Sequence, residues 1–152
     1  MSQASDYLES KIMGMLFDGT GSSWVSTVHG VSLHGSTPAN DGAGGGSASE
    51  IATGAGGYSA YARQFVSATS GWTIWYPAGI TGSVANGAAI TFPQGTGSDN
   101  ITVTHFGLYD STGDAGGAGG NLLAWGWLNN SLTITPGVTP EFAINSLQIS
   151  LD

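Results

Sequence analysis

The chain has 152 residues, with 26 glycines, no cysteine and only Lys11 and Arg63 to set against ten acidic side chains, a formal net charge of −8. A single domain of this length can bury a core without covalent staples. The charge balance excludes a basic nucleic-acid surface, the lack of cysteine excludes disulfides and thiolate metal sites, and no apolar run approaches the ~20 residues of a membrane helix.

The start, Met1 to Asp6, has neither the basic nor the apolar region of a signal peptide. Asp6 and Glu9 then have the spacing of a capping box, with Asp6 as the cap. Leu8, Ile12, Met15 and Leu16 follow at i, i+4, i+7 and i+8, one apolar stripe of a helix that stops at Asp18-Gly19. That stripe would lie on the domain's own sheet or dock on a neighbouring subunit. From residue 20 onward the pattern is β. Strands are predicted at 24–34, 59–69, 72–76, 88–93, 101–109, 121–128, 132–135 and 141–151, rich in aromatic and β-branched residues and bounded by Gly, Pro, Asn and Ser. Alternation is clearest where Tyr61, Arg63 and Phe65 oppose Ala62, Gln64 and Val66, and where Leu147, Ile149 and Leu151 oppose Gln148 and Ser150. Phe142 and Ile144 are in the opposite phase to Leu147 and Ile149, so a bulge or bend at Asn145-Ser146 is needed to keep one inward face. The expected fold is mainly β: a two-sheet antiparallel sandwich, jelly-roll or Greek-key-like, with one short N-terminal helix. Residues 1–19 form the helical segment and 20–152 a single sandwich domain.

Glycine-rich loops at 40–47, 53–57 and 112–120 offer few side chains for binding, and would order by backbone contact with a neighbour if they order at all. His29, His34 and His105 have no local metal-ligand spacing, and His29 and His34 fall on opposite faces of one strand. Asp110 and Asp114 lack the dense carboxylate pattern of a calcium loop. No Gly-x-Ser-x-Gly elbow is present, and with three Glu in the chain a carboxylate pair for glycoside hydrolysis has little support. The triplets Asn129-Asn130-Ser131 and Asn100-Ile101-Thr102 match the glycosylation pattern without a secretion signal. No catalytic residue, cofactor or metal site is therefore expected. Arg63, between aromatic neighbours, would be buried or half-buried and pair with a carboxylate or several carbonyls, or else reach an acidic partner subunit. Trp72, Trp75 and Tyr76 cluster in one segment, and Trp125 and Trp127 share a strand face. Such aromatics serve a core, a protein contact surface or sugar stacking. The candidate partner-contact residues are Leu8, Ile12, Met15, Trp72, Trp75, Tyr76 and Arg63.

Several ordered segments resemble a family of small bacteriophage virion proteins, labelled tail fibre or structural protein and in part similar to capsid decoration proteins. They are Asp6-Tyr7-Leu8-Glu9-Ser10-Lys11-Ile12; Val31-Ser32-Leu33-His34 with Pro38; Gly56-Gly57-Tyr58 with Tyr61-Ala62-Arg63-Gln64; and the run from Asn86 to Pro93. Val103 to Asp110, Gly119 to Gly126 and the closing strands from Leu147 to Asp152 complete the set. Segments 40–49 and 71–82 depart from the pattern, and partner specificity is expected to differ there. The resemblance implies an oligomeric β-sandwich virion component with no catalytic residues to carry over. Its expected role is capsid decoration: a homotrimeric cement protein on the outer head surface, bound to the major capsid protein or another virion protein, with no nucleic acid and no membrane. The alternative is a tail-fibre or receptor-binding module that holds host glycan through its aromatics. The scarcity of charge suits either, because few charged groups need desolvating when broad neutral faces meet.

Overall fold

Runs of consecutive buried residues at 30–34, 105–109 and 122–126 set the framework, because strands covered on both faces bury every side chain. The computed structural model describes residues 2–17, 27–39, 49–52, 57–75, 83–110 and 120–150, with the side chains of Ser2, Met15 and Trp75 excepted. The described residues form β1 (Ser2–Ala4), α1 (Asp6–Phe17), β2 (Val28–His34), β3 (Gln64–Ser67), β4 (Trp72–Trp75), β5 (Ser83–Asn86), β6 (Ile90–Thr91), β7 (Ile101–Tyr109), β8 (Leu122–Ile134), β9 (Glu141–Phe142) and β10 (Gln148–Ser150). The protein is thus mainly β, with one short helix. Every pairing among the described strands is antiparallel: a five-stranded sheet in the order β1-β8-β7-β2-β3, a three-stranded sheet β10-β5-β4 and a two-stranded sheet β6-β9.

One apolar cluster joins the three sheets. Val31, Leu33, Val103 and Phe106 of the large sheet meet Ile90 and Phe92 at β6 and Leu147 and Ile149 at β10. Each such side chain, fully buried, contributes about 1.5–3 kcal/mol. The register places Tyr109, Leu122 and Trp125 on the opposite face of β7 and β8, where they form a second, smaller cluster. Ser32 and His34 lie on this side too, and they cross over Gly107. A Cβ at Gly107 would stand 2.7 Å from Ser32 Oγ and 2.8 Å from His34 Nε2, so only glycine fits under the pair.

The N-terminus departs from its expected form. Residues 2–4, expected within the helical segment, form a strand on the edge of the large sheet against β8. Ser5, not Asp6, caps the helix. Its Oγ accepts the Leu8 N–H at 3.2 Å, and its carbonyl accepts the Glu9 N–H at 3.0 Å. Ser5 is held there because its own N–H and hydroxyl donate to the Leu123 and Leu122 carbonyls of β8. Asp6 falls in the first turn, where the helix dipole favours an acid. The apolar stripe holds at Leu8 and Ile12, both half-buried, and fails at Leu16, which is 69% exposed.

The long predicted strands 59–69 and 141–151 are shorter in the structure. Tyr61 and Arg63 are both buried, but the phase reverses at Phe65 because regular pairing begins only at Gln64. The second run breaks into β9, a turn at 144–146 and β10, at the predicted bend. Conversely, 121–128 and 132–135 merge into one long strand, β8, and β5 has no counterpart among the predicted strands. The first residues of the predicted strand 24–34, the loop 40–47, most of 53–57 and 112–120, Asp114, Tyr76 and Leu151 lie outside the described residues. No described helix is long and apolar enough to cross a membrane.

Candidate functional site

The long β7–β8 pair is regular on either side of one wide break, with a second, smaller shift between Leu108 and Tyr109. Val103 faces Leu132 while His105 faces Trp127, so two steps along β7 match five along β8. Three surplus residues on β8 make a wide bulge. The local sequence explains it, since Asn129-Asn130-Ser131 interrupts an apolar run with groups that prefer water, and all three are exposed. The bulge leaves a groove of about 570 Å³ between β8 and the β9–turn–β10 segment, within the usual range for small-molecule sites. Phe92, Val103, Phe106 and Phe142 lie along its apolar side, while Asn129, Asn130, Glu141, Asn145 and Gln148 supply polar groups. Phe142 sets its ring edge-on to Phe92 and Phe106, at 6.2 Å and 6.1 Å between centroids.

The wall opposite the bulge is built on one buried amide. Asn86, fully buried at the end of β5, donates through Nδ2 to the Ala88 and Ala143 carbonyls at 2.7 Å and 2.8 Å. Its Oδ1 accepts the Leu147 N–H at 2.9 Å, and its carbonyl accepts the Asn145 N–H at the same distance. These bonds hold the turn at 144–146, in which Asn145 adopts φ 61°, a left-handed conformation that Asn tolerates better than most residues. Asn145 and Ser146 are thereby fixed on the groove's edge. Glu141 is also tethered, its Oε2 accepting the Thr91 hydroxyl at 2.8 Å. Among the described residues, the side-chain amides of Asn129, Asn130 and Asn145 have no hydrogen-bond partner.

A second polar centre is closed. Arg63 and Glu50 form an ion pair with side chains 1% and 2% exposed. Nε and Nη2 of Arg63 donate to the two carboxylate oxygens at 2.8 Å and 2.5 Å, and the guanidinium lies 3.7 Å from the centre of the Tyr109 ring. Tyr61 donates to Glu50 Oε1 at 2.7 Å and accepts the Leu33 N–H at 3.0 Å. Burial, and then the Glu50 carboxylate, push the Tyr61 hydroxyl far above its ordinary pKa. His34 Nε2 lies 2.7 Å from Ser32 Oγ and Nδ1 2.9 Å from Ser49 Oγ. Burial, and then the charge of Arg63, lower its pKa to about 3. The Ser32–His34 distance is one a nucleophile and its base could have, but both residues are wholly buried, so no substrate atom can approach that hydroxyl. No group of three or more His, Cys, Asp or Glu among the described residues is placed to hold a metal ion.

The structure distributes the sequence-predicted contact residues widely. Arg63 is inside, paired with Glu50, which is the carboxylate-paired alternative and not the surface one. Leu8 and Trp72 are half-buried against the core cluster, and the Trp72 ring meets His29 edge-on at 5.8 Å. Ile12 is half-buried, the side chains of Met15 and Trp75 are not described, and Tyr76 lies outside the described residues. The exposed apolar positions of α1 are instead Met13, Leu16 and Phe17. Trp125 and Trp127 do share a face, their rings 5.0 Å apart. Of the residues lining the groove, Trp127 stood out in sequence among the aromatics, while the polar edge carried no marked signal. Asn129 and Asn130 stood out only as a glycosylation triplet, and Asn145 only as a bend. A polar triplet within a strand-forming run was the available sign of the bulge.

Comparison with known proteins gives one family. Residues 3–150 match the model of the family described as podophage GP4 fiber I protein gp80. No curated protein matches the chain.

Proposed function

We propose that this chain, which belongs to the family of podophage GP4 fiber I protein gp80 and is a structural protein of the phage virion, serves in the tail as a non-catalytic fibre component that meets the host surface. The observation that carries the tail assignment is the family's own description as a fibre protein, matched across nearly the whole chain. It favours the fibre alternative over capsid decoration, the first expectation from sequence. The described surface suits assembly: Arg63 is spent in a buried pair, and Lys11, over the Tyr7 ring at 5.3 Å, is the remaining basic residue. Contacts with other virion subunits, further copies of this chain included, therefore join neutral or acidic faces with little desolvation of cations.

Antibody labelling of intact virions, with separated heads and tails quantified by mass spectrometry, tests the assignment. Label and protein are expected on the tail. Recovery with heads, at a copy number that follows the capsid lattice, would restore the decoration reading.

A further inference from the structure

We infer that the groove between the β8 bulge and the 144–146 turn is a binding site for a neutral, hydroxyl-rich oligosaccharide. The source of that ligand, the host envelope, rests on the tail-fibre reading; the ligand's chemistry rests on the groove alone.

The polar edge of the groove is dominated by carboxamides. Asn129 and Asn130 stand on the bulge and Asn145 on the facing turn, and all three are exposed, with side-chain hydrogen-bonding capacity unused among the described residues. A carboxamide presents two donors and an acceptor oxygen. A sugar hydroxyl is likewise both donor and acceptor, so amides on two sides of a cleft can bracket one ring without introducing charge. Half-buried Phe142, Leu128 and Leu132 supply the apolar surface against which the C–H face of a pyranose packs. The edge is also fixed before binding. Fully buried Asn86 holds the turn that carries Asn145, so little of that segment's freedom is lost on association.

Charge separates the ligand classes. Among the described residues, the groove's lining contains no Lys, Arg or His, and Glu141 is its one ionisable acid. A phosphate, uronate or sialate entering it would lose water without gaining a cationic partner, and would face Glu141 in a chain of net charge −8. Nucleic acid is rejected by the same argument. An extended peptide would need a free strand edge for its main chain, whereas this cleft offers side-chain amides at a bulge, where regular pairing is interrupted.

The test uses the full chain, with the neutral and the acidic polysaccharide fractions from the envelope of a strain to which the phage adsorbs. The side-chain NH₂ signals of Asn129, Asn130 and Asn145 are followed by NMR during titration. The neutral fraction is expected to shift these signals saturably, and the acidic fraction to leave them in place. The double variant Asn129→Ala/Asn130→Ala, at exposed positions and checked for an unchanged melting curve, is expected to bind the neutral fraction about tenfold more weakly, the loss of two ordinary hydrogen bonds. The inference is overturned if the neutral fraction leaves the three amides unmoved, if only the acidic fraction moves them, or if the variant binds as tightly as the parent. A protein found on heads whose groove still takes the neutral fraction would remove the fibre reading and uphold the groove. A protein found on tails whose groove takes nothing would do the reverse.

Discussion

The centre at Glu50 and Arg63 and the rim of the groove are both sets of polar side chains on one β scaffold, but they complete their hydrogen bonds differently. At the centre, charged groups are almost fully enclosed, and Tyr61 and the Arg63–Glu50 pair satisfy one another. At the rim, neutral amides stand in water and bind nothing in the described chain. The first arrangement is expensive to break, since either charge left alone in the interior is penalised heavily. The second is inexpensive to leave open, because an exposed amide keeps its water. The contrast separates residues that hold the fold from residues free to meet a ligand, even though Arg63 is the more conspicuous in sequence.

The sharpest way to break this contrast is to remove one half of the ion pair. Arg63→Ala leaves the Glu50 carboxylate enclosed with Tyr61 as its remaining donor at this centre, and is expected to cost about 3–5 kcal/mol of stability, read as a shift in the urea midpoint. The double replacement Glu50→Leu/Arg63→Met removes both charges and should recover much of that loss. If Arg63→Ala melts like the parent, the centre is not a structural element, and an inter-subunit role for Arg63 becomes the better account.

Asn86 belongs to both regions, being closed like the first and supporting the second. Asn86→Ala orphans the Leu147 N–H and the Ala143 carbonyl together, with an expected cost of about 2–3 kcal/mol. Hydrogen exchange at the Leu147 amide should accelerate beyond what that global loss explains. Equal acceleration at every core amide would mean that the turn is held by other contacts.

Much of this was legible beforehand, and what was not has a physical cause. The antiparallel β character, the strand at 101–109 and the bend near Asn145 follow from periodicity and phase, which are local properties of a chain. The partner of Arg63 did not follow, because Glu50 is brought to it by a bridge to His34 at the end of β2, a tertiary event. β1 was hidden because Ser2-Gln3-Ala4 carries no strand signal and pairs only because β8 offers it an edge. The groove was hidden for a similar reason. It exists because β8 runs through a polar triplet that, read alone, looks like the gap between two strands.

Acid separates the two regions more gently. His34 in the fold has a pKa near 3 against about 6.5 when unfolded. Between those values the unfolded chain binds more protons, so stability falls as pH drops through this window, by up to about 1.4 kcal/mol per pH unit. Burial lowers His29 and His105 as well, which adds to the trend in the same direction. Urea midpoints measured from pH 7.5 down to 4.5 should therefore decline, and a flat profile would mean that His34 is protonated in the fold. The three rim amides do not titrate, so they contribute nothing to this slope.

The smallest effect is the most discriminating. Asn129→Ala and Asn130→Ala remove amides that are bonded to nothing in the described chain, and exposed substitutions of that kind usually fall within about 0.5 kcal/mol of zero. Their urea midpoints are expected to coincide with the parent's. A loss of 1–2 kcal/mol would show that these amides complete hydrogen bonds inside the bulge, as those at Glu50 and Arg63 do at the centre. The rim would then be structural as well. An unchanged midpoint leaves the amides free for a ligand, because a polar group that adds nothing to the fold keeps its full hydrogen-bonding capacity for whatever enters the groove.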